Sequence, residues 1–290
     1  MRTDPAPGPE NAWKGEGMSS WGRMTGGSSP SQRRWAALAA VFLGASLLWG
    51  CQSADPARDE YRLAGIEQMD QGDYEGAIAS FEEAIAHSDG RVGEFEIDVL
   101  KYRGEAEYKA EDYPAAAHTY GVLLQVDGED PDYYYLRSMA YSAQDMTADA
   151  DADAQAASEL EQSRGQLSPV MEEAMAALGG AWMKAGVQEK AEAAFDRVLT
   201  AGTATAQTYS LLGLACLDGD QAELAEGYFE QGMALTQPGS EEYGSLLWNR
   251  AAALEYSGDF SGARELLEEY VSSYGADPEV EREIRFLETR

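Results

Sequence analysis

The chain is poor in cysteine, histidine and basic side chains. Its 290 residues include two cysteines and two histidines, and 21 Lys and Arg stand against 52 Asp and Glu, which gives a formal net charge of −31. Two cysteines, Cys51 and Cys216, cannot build a disulfide framework, so packing alone must hold the fold. Nucleic acids and anionic lipid head groups attract clustered Lys and Arg, so neither is an expected partner. The acidic surface is expected to maintain solubility or, alternatively, to attract a cationic partner.

The sequence also lacks the short motifs of common enzyme classes. It contains no glycine-rich loop that ends in Lys-Ser or Lys-Thr, no His-Glu-x-x-His and no Gly-x-Ser-x-Gly. The two histidines, His87 and His118, fall on predicted helices without a motif around them. We therefore expect a protein that is not an enzyme and that uses no cofactor.

One acidic run begins like a calcium-binding loop. Asp149, Asp151 and Asp153 alternate with alanine, but Ala154 stands where the loop needs glycine and Leu160 stands where it needs glutamate. On a helix the three carboxylates would spread around the axis. The run is therefore interpreted as a solvated helix face, and no metal site is predicted.

The N-terminal segment has the pattern of an export signal. Two arginines precede an apolar run over residues 35–49, which is shorter than the ~20 residues needed to cross a bilayer. The four residues from Leu48 to Cys51 resemble the lipobox of bacterial lipoproteins, although Trp49 replaces the small residue usual at that position. The resemblance implies removal of residues 1–50 and a lipid on Cys51. An uncleaved anchor segment or a buried free thiol is the alternative.

The rest of the chain repeats one helical pattern six times. In each copy an alanine is followed four residues later by a large apolar residue or its substitute, with a small or apolar residue three further on. Successive alanines lie 34 to 41 residues apart, and a period near ~34 with helical spacing inside each unit indicates stacked helical hairpins. The copies are Ala77/Phe81/Ala84, Ala116/Tyr120/Leu123, Ala150/Ala154/Ala157, Ala191/Phe195/Val198, Ala225/Phe229/Gly232 and Ala263/Leu267/Tyr270.

These units resemble the tetratricopeptide repeat (TPR). The fifth copy places Tyr209, Leu212-Gly213, Ala225 and Phe229 at the offsets of that repeat, and the third copy is degenerate. The resemblance implies an all-α, right-handed superhelical solenoid of about six hairpins plus a C-terminal capping helix.

The predicted domains follow from these patterns, and a monomer is expected. A removed N-terminal extension and signal peptide (1–50) precedes a short linker (51–57), the repeats (58–275) and the capping helix (276–290). The repeats are predicted at about 58–96, 97–130, 131–171, 172–205, 206–243 and 244–275.

In tetratricopeptide repeats the first helices line the concave face, and the resemblance assigns that face to individual residues, with Glu105 among them. Aromatic, methionine and aliphatic side chains there are suited to hold an extended or helical segment by its apolar residues. Inner and core positions differ by one residue in register, so the alternative places some of these residues in the core. The predicted partner-binding residues are Arg62, Ile66, Met69, Lys101, Tyr108, Tyr135, Met139, Met183, Leu214, Leu217, Trp248 and Tyr256.

The expected function is a lipid-anchored scaffold on the extracytoplasmic face of a bacterial membrane that binds a protein or peptide of the cell envelope in its groove. The alternative is capture of a soluble peptide or glycan for envelope assembly or transport. Exposed aromatic residues such as Trp248 and Tyr135 would favour a glycan, whereas Met69, Met139 and Leu217 would favour a protein.

Overall fold

A computed structural model of the chain describes residues 56–290 other than Asp89, Glu129, Thr203 and Asp277. Thirteen α-helices account for the regular structure of this part, and the predicted all-α fold is confirmed. None of the described helices is both long and apolar enough to cross a membrane. The helices are α1 (Pro56–Asp70), α2 (Tyr74–Ala86), α3 (Glu94–Lys109), α4 (Tyr113–Val126), α5 (Pro131–Ser142), α6 (Thr147–Arg164), α7 (Met171–Lys184), α8 (Gln188–Ala201), α9 (Ala206–Asp218), α10 (Ala222–Met233), α11 (Glu241–Ser257), α12 (Phe260–Tyr274) and α13 (Pro278–Leu287).

The first twelve helices form six hairpins, each made of a first helix (odd number) and a second helix (even number) that pack on each other. Each hairpin turn contains one residue in the left-handed conformation, five positions before the alanine of the repeated pattern. Left-handed backbone directs the chain out of the first helix and satisfies its last carbonyl groups. These turn residues are Gly72, Glu111, Asp145, Gly186, Asp220 and Gly258, with φ between 57° and 88°.

Inside four hairpins an aromatic ring of the second helix lies directly over a glycine of the first. A Cβ atom added to that glycine would lie 2.2 to 2.8 Å from the nearest ring atom, so only glycine allows the two helices to approach this closely. The four pairs are Gly65 with Phe81, Gly104 with Tyr120, Gly179 with Phe195, and Gly213 with Phe229.

The degenerate third copy is explained by the same contact. Ala154 stands in place of the ring, so space is left for a side chain at Ser138, which occupies the position of the glycine. The Ser138 hydroxyl is buried and donates a hydrogen bond to the Ala150 carbonyl oxygen at 2.8 Å. The hairpin therefore replaces an aromatic contact by a polar one and keeps its geometry.

The last helix, α13, packs against α12 and buries Val280 and Leu287. Its Glu283 meets Glu255 of α11 in a partly buried pair of carboxyl groups. Burial, followed by the Glu283 carboxyl, raises the pKa of Glu255 to about 8, while Arg290 acts in the opposite direction. Two carboxyl groups this close are stable only when they share a proton.

This carboxyl pair predicts a pH-dependent stability. The folded-state pKa of Glu255 is about 8, above the usual value near 4.5, so the folded state binds the proton more tightly than the unfolded state. The stabilisation is complete below the unfolded pKa and is lost as the pH rises through about 8. We expect the melting temperature of Glu255→Gln to exceed that of the unmodified chain by several degrees at about pH 9, and to match it at about pH 5. Thermal denaturation followed by circular dichroism measures this.

Glu288→Gln, on an exposed residue after the same helix, is the control, and its difference from the unmodified chain should not change with pH. A Glu255→Gln chain whose melting temperature follows the unmodified chain at every pH would show that the pair shares no proton.

Candidate functional site: the inner face

One side of the stack is formed by first helices that contact one another. Among the described residues, α1 contacts α3, α5 contacts α7, α7 contacts α9 and α9 contacts α11, whereas consecutive second helices make no extensive contact. A stack whose units touch more closely on one side bends toward that side. The first helices therefore line the concave side, which we call the inner face.

In the middle of the inner face, small residues allow α7 and α9 to pack closely on each other. A Cβ atom on Gly180 of α7 would lie 2.9 Å from the Ala215 carbonyl oxygen of α9. A Cβ atom on Gly219 would lie 2.6 Å from the Met183 Cβ atom. At these two positions the absence of a side chain allows α7 and α9 to pack closely on each other.

Three of the predicted partner-binding residues are buried, which corrects the expected exposure. Tyr135, Met183 and Trp248 are 0%, 7% and 4% exposed. The Tyr135 hydroxyl donates to Glu161 Oε2 at 2.9 Å, toward the second helix of its own hairpin. The physical reason is register, because a rotation of about 100° per residue separates an inner position from a core position.

The two predicted cations are engaged with neighbouring helices. Arg62 pairs with Asp98 of α3 at 2.5 Å, and its guanidinium lies 5.5 Å from the centre of the Tyr102 ring. Lys101 Nζ lies 4.0 Å from Asp127 and 5.2 Å from the centre of the Tyr133 ring. Both cations therefore connect successive hairpins.

Most of the remaining predicted residues are half-buried and pack onto core clusters. Tyr256 differs from them because it is 45% exposed. Ile66 and Met69 pack on the core cluster that contains Phe81, Tyr108 packs on the cluster that contains Tyr120, and Met139, Leu214 and Leu217 pack on the cluster that contains Phe195 and Phe229. Their role in partner binding remains a prediction, and their apolar surface is shared with the core.

The acidic run on α6 is only partly the solvated face that was expected. Asp153 is buried, and its two oxygens accept hydrogen bonds from Arg137 Nε and Nη2, both at 2.7 Å. Asp151 lies 2.6 Å from Lys190 Nζ of α8. The run therefore connects α6 to α5 and α8, and no group of three or more potential metal ligands occurs among the described residues.

Five side chains from five helices form a group in which each of the others interacts electrostatically with Tyr108 or with Asp218. They are Tyr108 (α3), Tyr113 (α4), Glu173 (α7), Asp218 (α9) and Tyr256 (α11), which we call the acidic tyrosine cluster. Burial is the main cause that raises the pKa of the Tyr108, Tyr113 and Tyr256 hydroxyls, and the Asp218 carboxylate adds to the rise at all three. Tyr108 and Asp218, which are 110 positions apart in the sequence, thus interact electrostatically.

The two carboxylates of the cluster are exposed, and the pKa of each is raised. Glu173 and Asp218 can be reached by solvent, yet burial by surrounding protein is the main cause that raises the pKa of each. Lys109 opposes the rise at Glu173, and Lys184 opposes it at Asp218.

The tyrosines of the cluster are held neutral. Burial, followed by Tyr113, Glu173 and Asp218, raises the pKa of Tyr108 to about 12. The rings of Tyr108 and Tyr113 meet edge to face with their centres 5.3 Å apart. The cluster therefore combines two carboxylates with uncharged aromatic rings, a combination that attracts cations both by charge and by the ring faces.

Sequence reasoning selected Tyr108 and Tyr256 but missed Tyr113, Glu173 and Asp218. A signal for Asp218 was present, because it lies five positions after Gly213 and Tyr256 lies five positions after Ala251, the equivalent residue of the next hairpin. Equivalent positions of successive repeats lie on the same face. Tyr113 had no such signal, because it belongs to a second helix.

Only one of the two cysteines, Cys216, lies among the residues that the structure describes. Cys216 is fully buried within α9, as predicted, and burial raises the pKa of its thiol to about 12. A thiol with this pKa is protonated and unreactive at neutral pH. Cys51, with the predicted lipobox and signal segment, lies outside the described residues.

Hairpins that repeat every 34 to 41 residues, with a ring over a glycine inside four of the six hairpins and first helices along the inner face, define the tetratricopeptide-repeat fold. Among solved structures, the quorum sensor NprR from B. thuringiensis in its apo form is 13% identical with a TM-score of 0.53, over 93% of this chain and 78% of its own. PilW, described as a widely conserved type IV pilus biogenesis factor, is 17% identical with a TM-score of 0.53, over 79% of this chain and 99% of its own.

A tetratricopeptide repeat protein from Parabacteroides merdae covers 81% of this chain and 100% of its own, at 13% identity and a TM-score of 0.42. The likeness to all these structures concerns the fold alone. No protein-family model matches the sequence, and no curated protein matches it either.

Proposed function

We propose that this chain is a non-enzymatic scaffold that holds a protein or peptide segment against its inner face. The observation that carries the proposal is the inner face itself, which the first helices of successive hairpins form together and on which Tyr256 of α11 is 45% exposed. A rigid surface built from several hairpins contacts an extended segment at several points without reorganising. Preorganisation of this kind reduces the entropy lost on binding.

We also propose that a lipid on Cys51 anchors the scaffold to the extracytoplasmic face of a bacterial membrane. The support is the sequence, in which an arginine pair, a short apolar run and a lipobox-like tetrapeptide precede the cysteine. The first described helix begins at Pro56, and five residues reach at most about 17 Å when fully extended. The repeats would therefore lie close to the bilayer, next to membrane-associated or secreted partners.

Glycan capture was expected to use the exposed aromatic residues Trp248 and Tyr135, but both are buried in the core. A free peptide could use the same inner face as a protein segment. Protein or peptide binding is therefore the function that the geometry supports best.

Site-specific photo-crosslinking in the native cell tests groove binding. A photoreactive residue at Tyr256, which is exposed on the inner face, should give one adduct of defined mass. The same residue at Leu224, which is exposed on the second helix α10, should not give that adduct. Identical adducts from both positions, or none from Tyr256, would contradict the proposal.

The anchor has a separate test. Cys51→Ala should abolish incorporation of labelled palmitate and release the chain from the membrane fraction, whereas Cys216→Ala should change neither. A Cys51→Ala chain that still takes up the label and still sediments with membranes would show that Cys51 is not the anchor.

A further inference from the structure

We infer that the solenoid has a hinge between its fourth and fifth hairpins, and that the axis of the hinge is the contact of α7 with α9. The hinge joins two arms, which are hairpins one to four and hairpins five and six with α13. This goes beyond the proposed function, because it concerns how the arms move and not what they bind. Each arm keeps its own part of the inner face rigid, and the hinge sets the angle between the two parts.

Successive hairpins are joined by two different modes of packing. At three junctions the second helix of one hairpin packs extensively on the first helix of the next, as α2 does on α3, α4 on α5 and α10 on α11. Between hairpins four and five this contact is small, because α8 touches α9 only slightly. There α7 and α9 instead make the most extensive contact between first helices in the described part of the chain. The fourth and fifth hairpins are therefore joined along the inner side and separated on the outer side.

The contact of α7 with α9 runs along the length of both helices. Near their starts, the Thr208 hydroxyl donates a hydrogen bond to Glu172 Oε2 at 3.2 Å. Further along, Gly180 faces the Ala215 carbonyl oxygen, and Gly219, directly after α9, faces a Cβ atom of α7. Most helix pairs are locked by side chains that insert between the turns of the partner helix, and a glycine presents no such side chain. A continuous contact without this interlocking is suited to be an axis of rotation.

One tyrosine bridges the outer side of this junction. The Tyr228 ring of α10 meets the Phe195 ring of α8 edge to face, with the ring centres 6.0 Å apart. Tyr228 is half-buried, whereas Phe195 is fully buried against Gly179 of its own hairpin. A ring pair of this kind contributes a modest attraction, and its separation breaks no hydrogen bond. The helices α8 and α10 can therefore move apart while the core of each hairpin stays intact.

The preceding junction, between hairpins three and four, is held on its outer side by ion pairs. Lys190 of α8 lies 2.6 Å from Asp151 of α6, and Arg197 of α8 pairs with the buried Glu161 of α6. Among the described residues, no ion pair joins α8 to α9 or to α10. The ion pairs hold hairpin four together with hairpin three, so the rotation is confined to the junction of hairpins four and five.

Distances between pairs of spin labels, measured by pulsed electron paramagnetic resonance on the full chain carrying Cys51→Ala, test the hinge. Cysteines that replace Ala152 and Glu265 span three junctions including the hinge, and cysteines that replace Ala79 and Ala193 span three junctions without it. All four positions are exposed and lie two residues after the repeated alanine of a second helix, so the two pairs are matched. The remaining native cysteine is fully buried and does not take the label.

The distance distribution of the pair across the hinge should be about twice as wide as that of the matched pair, or wider. Tyr228→Ala removes the bridge on the outer side, so it should widen the first distribution further and leave the second unchanged. Tyr228→Phe keeps the ring and should change neither. Equal widths in the unmodified chain, or a Tyr228→Ala chain with no further widening, would overturn the hinge.

Gly180→Ala tests the axis itself. The new Cβ atom would lie 2.9 Å from the Ala215 carbonyl oxygen, so α7 and α9 must move apart. The mean distance across the hinge should then shift by about 2 Å or more, with the matched pair unchanged. Gly227→Ala, whose Cβ atom meets nothing within 4 Å, should shift neither distance. An equal shift of both pairs in Gly180→Ala would place the axis elsewhere and overturn the assignment. Circular dichroism shows whether each variant is folded, and the Tyr228 variants decide the question if Gly180→Ala does not fold.

Discussion

Replacing Gly213 by alanine is expected to destabilise the fold by about 2 kcal/mol or more. A Cβ atom at this position would lie 2.3 Å from Cε1 of Phe229, a ring that is fully buried between α9 and α10. Because the ring is fully buried, it cannot move aside into solvent, so either the neighbouring side chains or one of the two helices must shift. This strain exceeds the gain of about 1 kcal/mol that alanine brings to a helix interior. Urea denaturation followed by circular dichroism measures the free energy of unfolding.

The neighbouring helix provides a control of opposite sign. Gly227 lies within α10, and a Cβ atom added there meets nothing within 4 Å. Gly227→Ala should therefore raise the free energy of unfolding by about 0.5–1 kcal/mol. Adding Phe229→Leu to Gly213→Ala should relieve part of the strain, because leucine lacks the ring edge. Equal stability of the two alanine variants would show that the contact of ring and glycine does not limit the approach of the helices.

The second large effect is expected at Glu161, which is 3% exposed. Its Oε1 accepts the backbone N–H of Ser168 at 2.7 Å, and its Oε2 accepts from the Tyr135 hydroxyl at 2.9 Å and from Arg197. Glu161→Ala would leave these donors without their acceptor, including a partly buried guanidinium. Removal of one partner from a buried ion pair costs about 3–5 kcal/mol. The midpoint of urea denaturation should fall accordingly.

Glu159→Ala, on the exposed side of the same helix, should change stability by less than about 0.5 kcal/mol. The double change Glu161→Leu with Arg197→Met should recover much of the loss, since it removes both charges and leaves apolar side chains of similar volume. A Glu161→Ala chain as stable as Glu159→Ala would mean that the network contributes no net stability.

The repeated pattern was sufficient to predict the helical hairpins and the last helix. Alanine and glycine at fixed offsets, as at Gly213 and Ala225, require close helix contacts wherever they occur, so local spacing carries the information. The degenerate third copy still forms a hairpin. Its larger contacting side chain, Ser138, is on the first helix and its smaller one, Ala154, is on the second, the reverse of the arrangement in the other copies.

The site was harder to predict for two physical reasons. A rotation of about 100° per residue decides whether a first-helix residue faces the inner side or the core, and Tyr135 and Trp248 fall on the buried side of that division. The approach of Asp218 to Tyr108 depends on the small rotation between successive hairpins, summed over several of them. No residue spacing within one hairpin encodes that sum.

The left-handed turn residues determine where such a chain can gain or lose residues. From Gly72 to Gly258, each lies five positions before its alanine, so the distance across every hairpin turn is constant. The variation between 34 and 41 residues is therefore accommodated at the opposite ends of the hairpins, where α6 is longer than the other second helices and where the connections after α2 and α10 are longer than those after α4 and α8. The edge of the stack that carries the hairpin turns therefore keeps a constant spacing, whereas the opposite edge tolerates insertions. New loops, tags or additional binding elements are best placed on that second edge, where they leave the spacing of the inner face unchanged.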